Sequence, residues 1–353
     1  MNIKEAKESI IHTVQAYLDK DETGAYTIPP ERQRPILLMG PPGIGKTAIM
    51  EQAAEECGIG LVSYTITHHT RQSAIGLPFI SRKTYNGREV SVTEYTMSEI
   101  VAAIYDYMEQ TGLRSGLLFL DEINCVSETL TPVMLQLLQN KTFGNVPLPE
   151  DWMIVAAGNP PEYNNAVREF DIVTMDRLKV LEIEPDFAAW QRYAKETGVH
   201  RAIQTFLDIR RDHFYRIEDS REGRRYVTAR GWEDLSLMLR VYEEDGIAVD
   251  AKWFLQYLQY DEIARSFGLY YDLFRHFTEG ISDPGGEPGA LSEGFDLAKL
   301  LLASPEKLAE RSSTECLAIA AMLLHPIEKS AEALDEAGKR LTRRRELVAL
   351  MPQ

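Results

Sequence analysis

The sequence predicts an α/β protein: a doubly wound parallel sheet followed by an all-α region. Three observations lead there. Continuous apolar runs, ILLM at 36–39, GLLFL at 116–120 and WMIVAA at 152–157, alternate with stretches whose apolar residues recur at helical spacing. Such strands are buried on both faces, as happens where helices cover a parallel sheet. Beyond about residue 185 these runs stop and helical periodicity takes over.

Taken in order, Ile3, Ile10, Ile11, Val14 and Leu18 mark one face of a first helix, and a polar connector follows as far as Pro35. ILLM is the first strand and TAIMEQAAEECG the first core helix; IGLVSYTIT at 59–67 is the next strand. Asn86-Gly87 divides two β-rich stretches within 78–96, the pattern of a hairpin with a two-residue turn. MSEIVAAIYDYMEQTG reads as a helix capped by Ser98 and stopped at Gly112. GLLFLDEIN, the helix ETLTPVMLQLLQN, a glycine-containing turn at 142–148 and the strand WMIVAAGNP complete the α/β region.

Four further segments between 187 and 277 read as helices, SDPGGEPGA at 282–290 as a linker, and two or three more helices follow. The expected organisation is an N-terminal helix and connector at 1–33, an α/β core at 34–184, a helical lid at 185–281, and a linker with a C-terminal helical extension at 282–353.

Composition narrows the functions. The chain has 353 residues, 44% hydrophobic and 26% charged, with room for two or three domains. No apolar run approaches the roughly 18 residues of a membrane span, and the N-terminus lacks the basic-then-apolar layout of a signal peptide. The three cysteines, Cys57, Cys125 and Cys316, form no CxxC pair, so a reducing cytoplasm is expected. A net charge of −16 repels nucleic acid; the dense basic run Lys339–Arg345 reads as a solvated face or tail.

Residues 40–47, GPPGIGKT, spell G-x-x-x-x-G-K-T between a strand and a helix. Gly40, Pro41, Pro42, Gly43, Ile44 and Gly45 let the backbone wrap with its N–H groups inward, around phosphates. The helix starting at Ala48 turns its positive end to the same anion. Lys46 supplies a point charge to the β- and γ-phosphates of ATP, and the Thr47 hydroxyl a ligand for Mg2+.

Asp121 and Glu122 end a buried strand, where ligands of open α/β sheets collect. Asp121 suits the metal's water shell; Glu122 suits a general base that takes a proton from the attacking water, which favours hydrolysis over transfer to a substrate. Asn159, in IVAAGNP, ends an apolar strand and can hold that water or touch the γ-phosphate. In HHTRQSAIGLP at 68–78, the paired His68 and His69 point different ways and have no clear companion ligands. Arg71 there is a candidate nucleotide-side or pore-side contact.

These ordered motifs resemble the AAA+ ATPases over roughly residues 34 to 280, and within them the MoxR-like group of the helix-2-insert clade. GPPGIGKT resembles Walker A, LLFLDEIN Walker B and IVAAGNP sensor 1; the hairpins near 78–96 and 142–148 fall where that clade carries insertions. MDRL resembles the segment bearing the arginine finger, which makes Arg177 the finger with Arg168 its rival; VTARGWEDL resembles the start of the sensor 2 helix, with Arg230 its arginine.

The resemblance implies a cytoplasmic, chaperone-like ATP hydrolase working as a homo-oligomeric ring, a hexamer. It would remodel a protein client with a separate partner carrying a von Willebrand factor A domain. Two other classes stay open: a nucleic-acid motor of the same clade, against which the net charge of −16 weighs, and a binding module switched by ATP with little turnover.

Overall fold

The computed structural model describes residues 1–278 except 69, 145, 164–166, 168–169 and 221–222. The linker at 282–290, the expected C-terminal helices and the basic run Lys339–Arg345 lie outside the described residues, as do His69 and Arg168. The chain divides into two compact units, Met1–Ala189 and Trp190 onward.

The first unit contains α1 (Ile3–Leu18), β1 (Ile36–Met39), α2 (Ala48–Cys57), β2 (Gly60–Thr65), α3 (Arg71–Ile75), β3 (Pro78–Tyr85), β4 (Arg88–Tyr95), α4 (Glu99–Thr111) and β5 (Gly116–Asp121). It continues through α5 (Thr131–Asn140), β6 (Thr142–Phe143), β7 (Val146–Pro147), β8 (Trp152–Gly158), α6 (Ile172–Met175) and β9 (Lys179–Glu182). Five strands form one parallel sheet in the order β2-β5-β8-β1-β9.

The apolar runs explain which strands lie inside. Leu117 to Leu120 and all seven residues of β8 are buried, and each such large side chain contributes about 1.5–3 kcal/mol by leaving water. Trp152 fills the start of β8, its indole N–H donating to the Arg114 carbonyl at 3.0 Å. The sequence reading did not single out β9. It is a four-residue edge strand with mixed burial, too short and too polar to announce itself.

Local chemistry sets the ends. Asn2 and Glu5 close a capping box on α1, which packs on α2 within the same unit. Ser98 caps α4 and Gly112, at φ 75°, ends it. Asn86 and Gly87 adopt φ 51° and 77°, the left-handed pair of a type I′ turn, and join β3 and β4 into a separate, largely exposed ribbon.

The second unit takes in α7 (Phe187–Glu196), which begins just before the boundary, α8 (Arg201–Ile209), β10 (Arg216–Ser220), β11 (Gly223–Val227), α9 (Ala229–Glu244), α10 (Ala251–Phe254) and α11 (Asp261–Thr278). Its core is aromatic: the Phe206, Trp232 and Phe254 rings lie 5.3, 5.3 and 5.1 Å from Phe267.

The expectation of an all-α lid at 185–281 is corrected by this unit. β10 and β11 pair antiparallel from Arg216↔Val227 to Ser220↔Gly223. These strands gave no apolar signal because polar contacts hold them: Arg224 pairs with Asp219, and the Tyr260 hydroxyl donates to Glu218 at 2.6 Å. The segment after 250 is also not one helix. Residues 255–260 form turns between α10 and α11, and the Gln259 carbonyl accepts from the Tyr226 amide of β11 at 3.0 Å. Among the described residues, no helix is long and apolar enough to cross a membrane.

Candidate active site

Because the five strands are parallel, the segments leaving β1, β5 and β8 emerge at one edge of the sheet, on adjacent strands. Those segments carry the loop Gly40–Thr47, the acids Asp121 and Glu122, and Asn159. The crevice outside the carboxyl ends of an open α/β sheet is where such folds take ligands.

In the loop, Gly43 and Gly45 sit at φ 71° and 94°, which residues with a Cβ adopt only at a cost. That path turns the chain directly into α2. Lys46 is 8% exposed, and its ammonium donates to the carbonyls of Gly40 at 2.6 Å and Pro41 at 2.9 Å and to Asn159 Oδ1 at 2.9 Å. The cation is therefore fixed between the loop and the end of β8. Asn159 spends its acceptor on Lys46, so its Nδ2 hydrogens are the means by which it would hold a water or a phosphate oxygen.

Thr47 Oγ1 lies 3.4 Å from Asp121 Oδ2. A hydroxyl and a carboxylate oxygen this close are the hard-oxygen donor set that suits Mg2+, so the residues present fit the metal expected beside a nucleotide. Asp121 Oδ1 meanwhile accepts from the amide of Glu122 at 2.9 Å, which orients the carboxylate.

Glu122 has φ 57° and ψ 35°, a left-handed conformation rare for glutamate. Such a residue stores on the order of 1–3 kcal/mol that its surroundings must offset, and it is characteristic of functional sites. The turn is closed by the Cys125 amide, which donates to the Glu122 carbonyl at 2.9 Å. The carboxylate meets Thr67, whose hydroxyl donates to Oε2 at 3.0 Å.

One of the arginines singled out in the sequence, Arg177, stands apart from this group within the first unit. β9 runs parallel to β1 with Lys179 opposite Ile36, so Arg177 lies just beyond the sheet's other edge. The four residues of β1 separate the two edges by roughly 13 Å. Arg177 is exposed, and its charge helps hold the Asp171 carboxyl below the usual range, after the larger effect of bonding to Thr174. Arg230 is exposed on the first turn of α9 in the second unit. The side chains of His68 and Arg71 lie outside what is described.

Sequence reasoning assigned no role to two residues that touch this group, Thr67 and Asn124. Asn124 lay inside the quoted LLFLDEIN motif without drawing attention, since an asparagine after a strand reads as a turn. Thr67 could be found only by knowing that β2 lies beside β5.

Residues 35–178 match the family model of the AAA domain (dynein-related subfamily), a span that contains the loop, both acids, Asn159 and Arg177. The match supports an AAA+ ATPase domain in that segment, a family whose members bind nucleotide. Among curated proteins, none matches the chain.

Proposed function

We propose that the AAA+ domain of this protein is a Mg2+-dependent ATP hydrolase that works in a homo-oligomeric, hexameric ring and spends each hydrolysis on remodelling a protein client. In this reading it acts as a MoxR-like chaperone, together with a separate partner carrying a von Willebrand factor A domain.

The observation that carries the ring is the place of Arg177. An arginine suited to clamp γ-phosphate oxygens stands at the sheet edge opposite the chain's own loop, where a neighbouring subunit's nucleotide is the natural target. Such a finger is worth about 10³–10⁵ in rate in comparable phosphoryl transfers. Arg230, exposed on the first turn of α9, is the sensor 2 arginine of this reading.

Within one subunit the roles divide as follows. Backbone amides of Gly43 to Thr47 and the start of α2 bind phosphate oxygens, and Lys46 exchanges its loop carbonyls for them. Thr47 and Asp121 would hold Mg2+, which when bound would neutralise charge building between the β- and γ-phosphates. Asn159 orients the attacking water, and Glu122 takes its proton.

The exposed ribbon gives no support to a nucleic-acid motor. Two of its three cations pair with its own acids, Arg82 with Glu89 at 3.8 Å and Lys83 with Glu94.

The test is the solution mass and turnover of Glu122→Gln with and without Mg-ATP. The expected result is a protein that binds ATP, does not hydrolyse it and assembles into a ring when ATP is added. A variant that binds ATP yet stays monomeric removes the ring from the proposal; one that still turns over removes Glu122 as the base.

A further inference from the structure

Asn124 sits in the single 3-10 turn Ile123–Cys125, directly after the two acids, and is 3% exposed. A carboxamide buried that deeply must find partners for both its donor and its acceptor ends. Its Nδ2 donates to the backbone carbonyl of Asn159 at 2.8 Å. Its Oδ1 lies over residue 158, where an added Cβ would come within 2.7 Å of it. β8 reaches this close to the turn only because residue 158 is glycine.

The contact links the two halves of the site. On one side, the turn holding Asn124 is the turn that sets the left-handed backbone of Glu122. On the other, the backbone that Asn124 grips is that of Asn159, whose side chain accepts from Lys46 at 2.9 Å. The Gly158 carbonyl also accepts from the Gly40 amide at 3.3 Å, so the same short stretch of β8 meets the start of the phosphate loop.

We propose that Asn124 is a positioning residue: it locks the end of β8 to the turn after Asp121 and Glu122, so that the Asn159 carboxamide keeps a fixed place between Lys46 and those acids. The inference rests on the reading of Asn159 as a residue of ATP hydrolysis. Asn124 itself faces the backbone and touches no reacting atom. Its contribution is to geometry, and misplacing a water-holding group by a fraction of an ångström lowers turnover without preventing nucleotide binding.

A merely structural asparagine, satisfying one buried carbonyl, would change stability and leave the site's turnover alone. A mutant cycle on the full chain separates the two. ATP affinity, kcat, KM and Tm are measured for the wild type, Asn124→Ala, Asn159→Ala and the double variant. Asn124→Asp is measured beside them: it keeps the shape, loses the donor and sets an oxygen against the Asn159 carbonyl.

The expected loss for each Asn124 variant is about tenfold in kcat, the worth of one hydrogen bond to a positioned group, with ATP affinity unchanged. Because Asn124 acts through Asn159, the double variant should be no slower than Asn159→Ala alone.

Full kcat in the Asn124 variants, or a loss that multiplies with that of Asn159→Ala, overturns the inference alone. Full turnover in Asn159→Ala overturns the reading of the site and the inference with it. Should Asn124→Ala not fold, Asn124→Asp carries the same cycle.

Discussion

The hydroxyl of Thr67 donates to Glu122 Oε2 at 3.0 Å, tying the segment after β2 to the carboxylate that follows β5. The backbone of Glu122 is already committed to a left-handed turn, so this bond fixes the remaining freedom, the direction of the side chain. Thr67→Val keeps the shape and removes the donor. We expect kcat for ATP to fall about 3–10-fold with KM little changed. Steady-state kinetics read this directly, and an unaltered kcat would show that the carboxylate needs no such guide.

Arg177 and Lys46 should complement each other between subunits. Arg177→Ala and Lys46→Ala should each be inactive alone. In an equal mixture, half of the sites have an intact loop and half of those an intact neighbour, so activity should return to about a quarter of the wild type. A mixture that stays inactive would place Arg177 outside the neighbouring site.

Lys141 supplies a pH signature. Burial lowers its amine to about 8, the Glu31 carboxylate opposing the shift, while Nζ donates to the buried Gln33 at 3.1 Å. The folded state therefore binds this proton less readily than the unfolded chain, whose lysines titrate near 10.4. Between those values the unfolded state carries more protons, so stability rises with pH. Relative to Lys141→Met, the wild type should gain roughly 1–2 kcal/mol between pH 7.5 and 9.5. Parallel denaturation curves at the two pH values check this, and a constant difference would refute it.

Ser98 is fully buried and its hydroxyl accepts from the Ile100 amide at 3.2 Å, capping α4. Ser98→Ala should cost about 1 kcal/mol and lower the Tm by about 2–4 °C. Scanning calorimetry decides it. No change would mean that water reaches the first turn of α4 after the cap is gone.

What the sequence disclosed follows from burial. β1, β5 and β8 were legible because both faces of each are covered, leaving unbroken apolar runs. The β3–β4 ribbon was legible from the backbone demands of Asn86-Gly87 alone. β10 and β11 were hidden because charged contacts hold them, and the break before α11 lies where the Gln259 carbonyl accepts from a distant amide, that of Tyr226. In the site, the loop and the acids stood out as motifs. The grip of Thr67 on Glu122 and of Asn124 on Asn159 did not, since both depend on which strands lie side by side.

The ribbon of β3 and β4 has a mechanical consequence. Its strands are eight residues long, so it reaches roughly 26 Å from its root. That root is narrow: the Thr96 amide donates to the Leu77 carbonyl at 3.0 Å, and the Leu77 amide to the Thr96 hydroxyl at 2.9 Å. A body of that length on so small a pivot is a lever. A tilt of about 10° at the root sweeps its tip through roughly 4–5 Å, more than the separation of neighbouring residues along a strand.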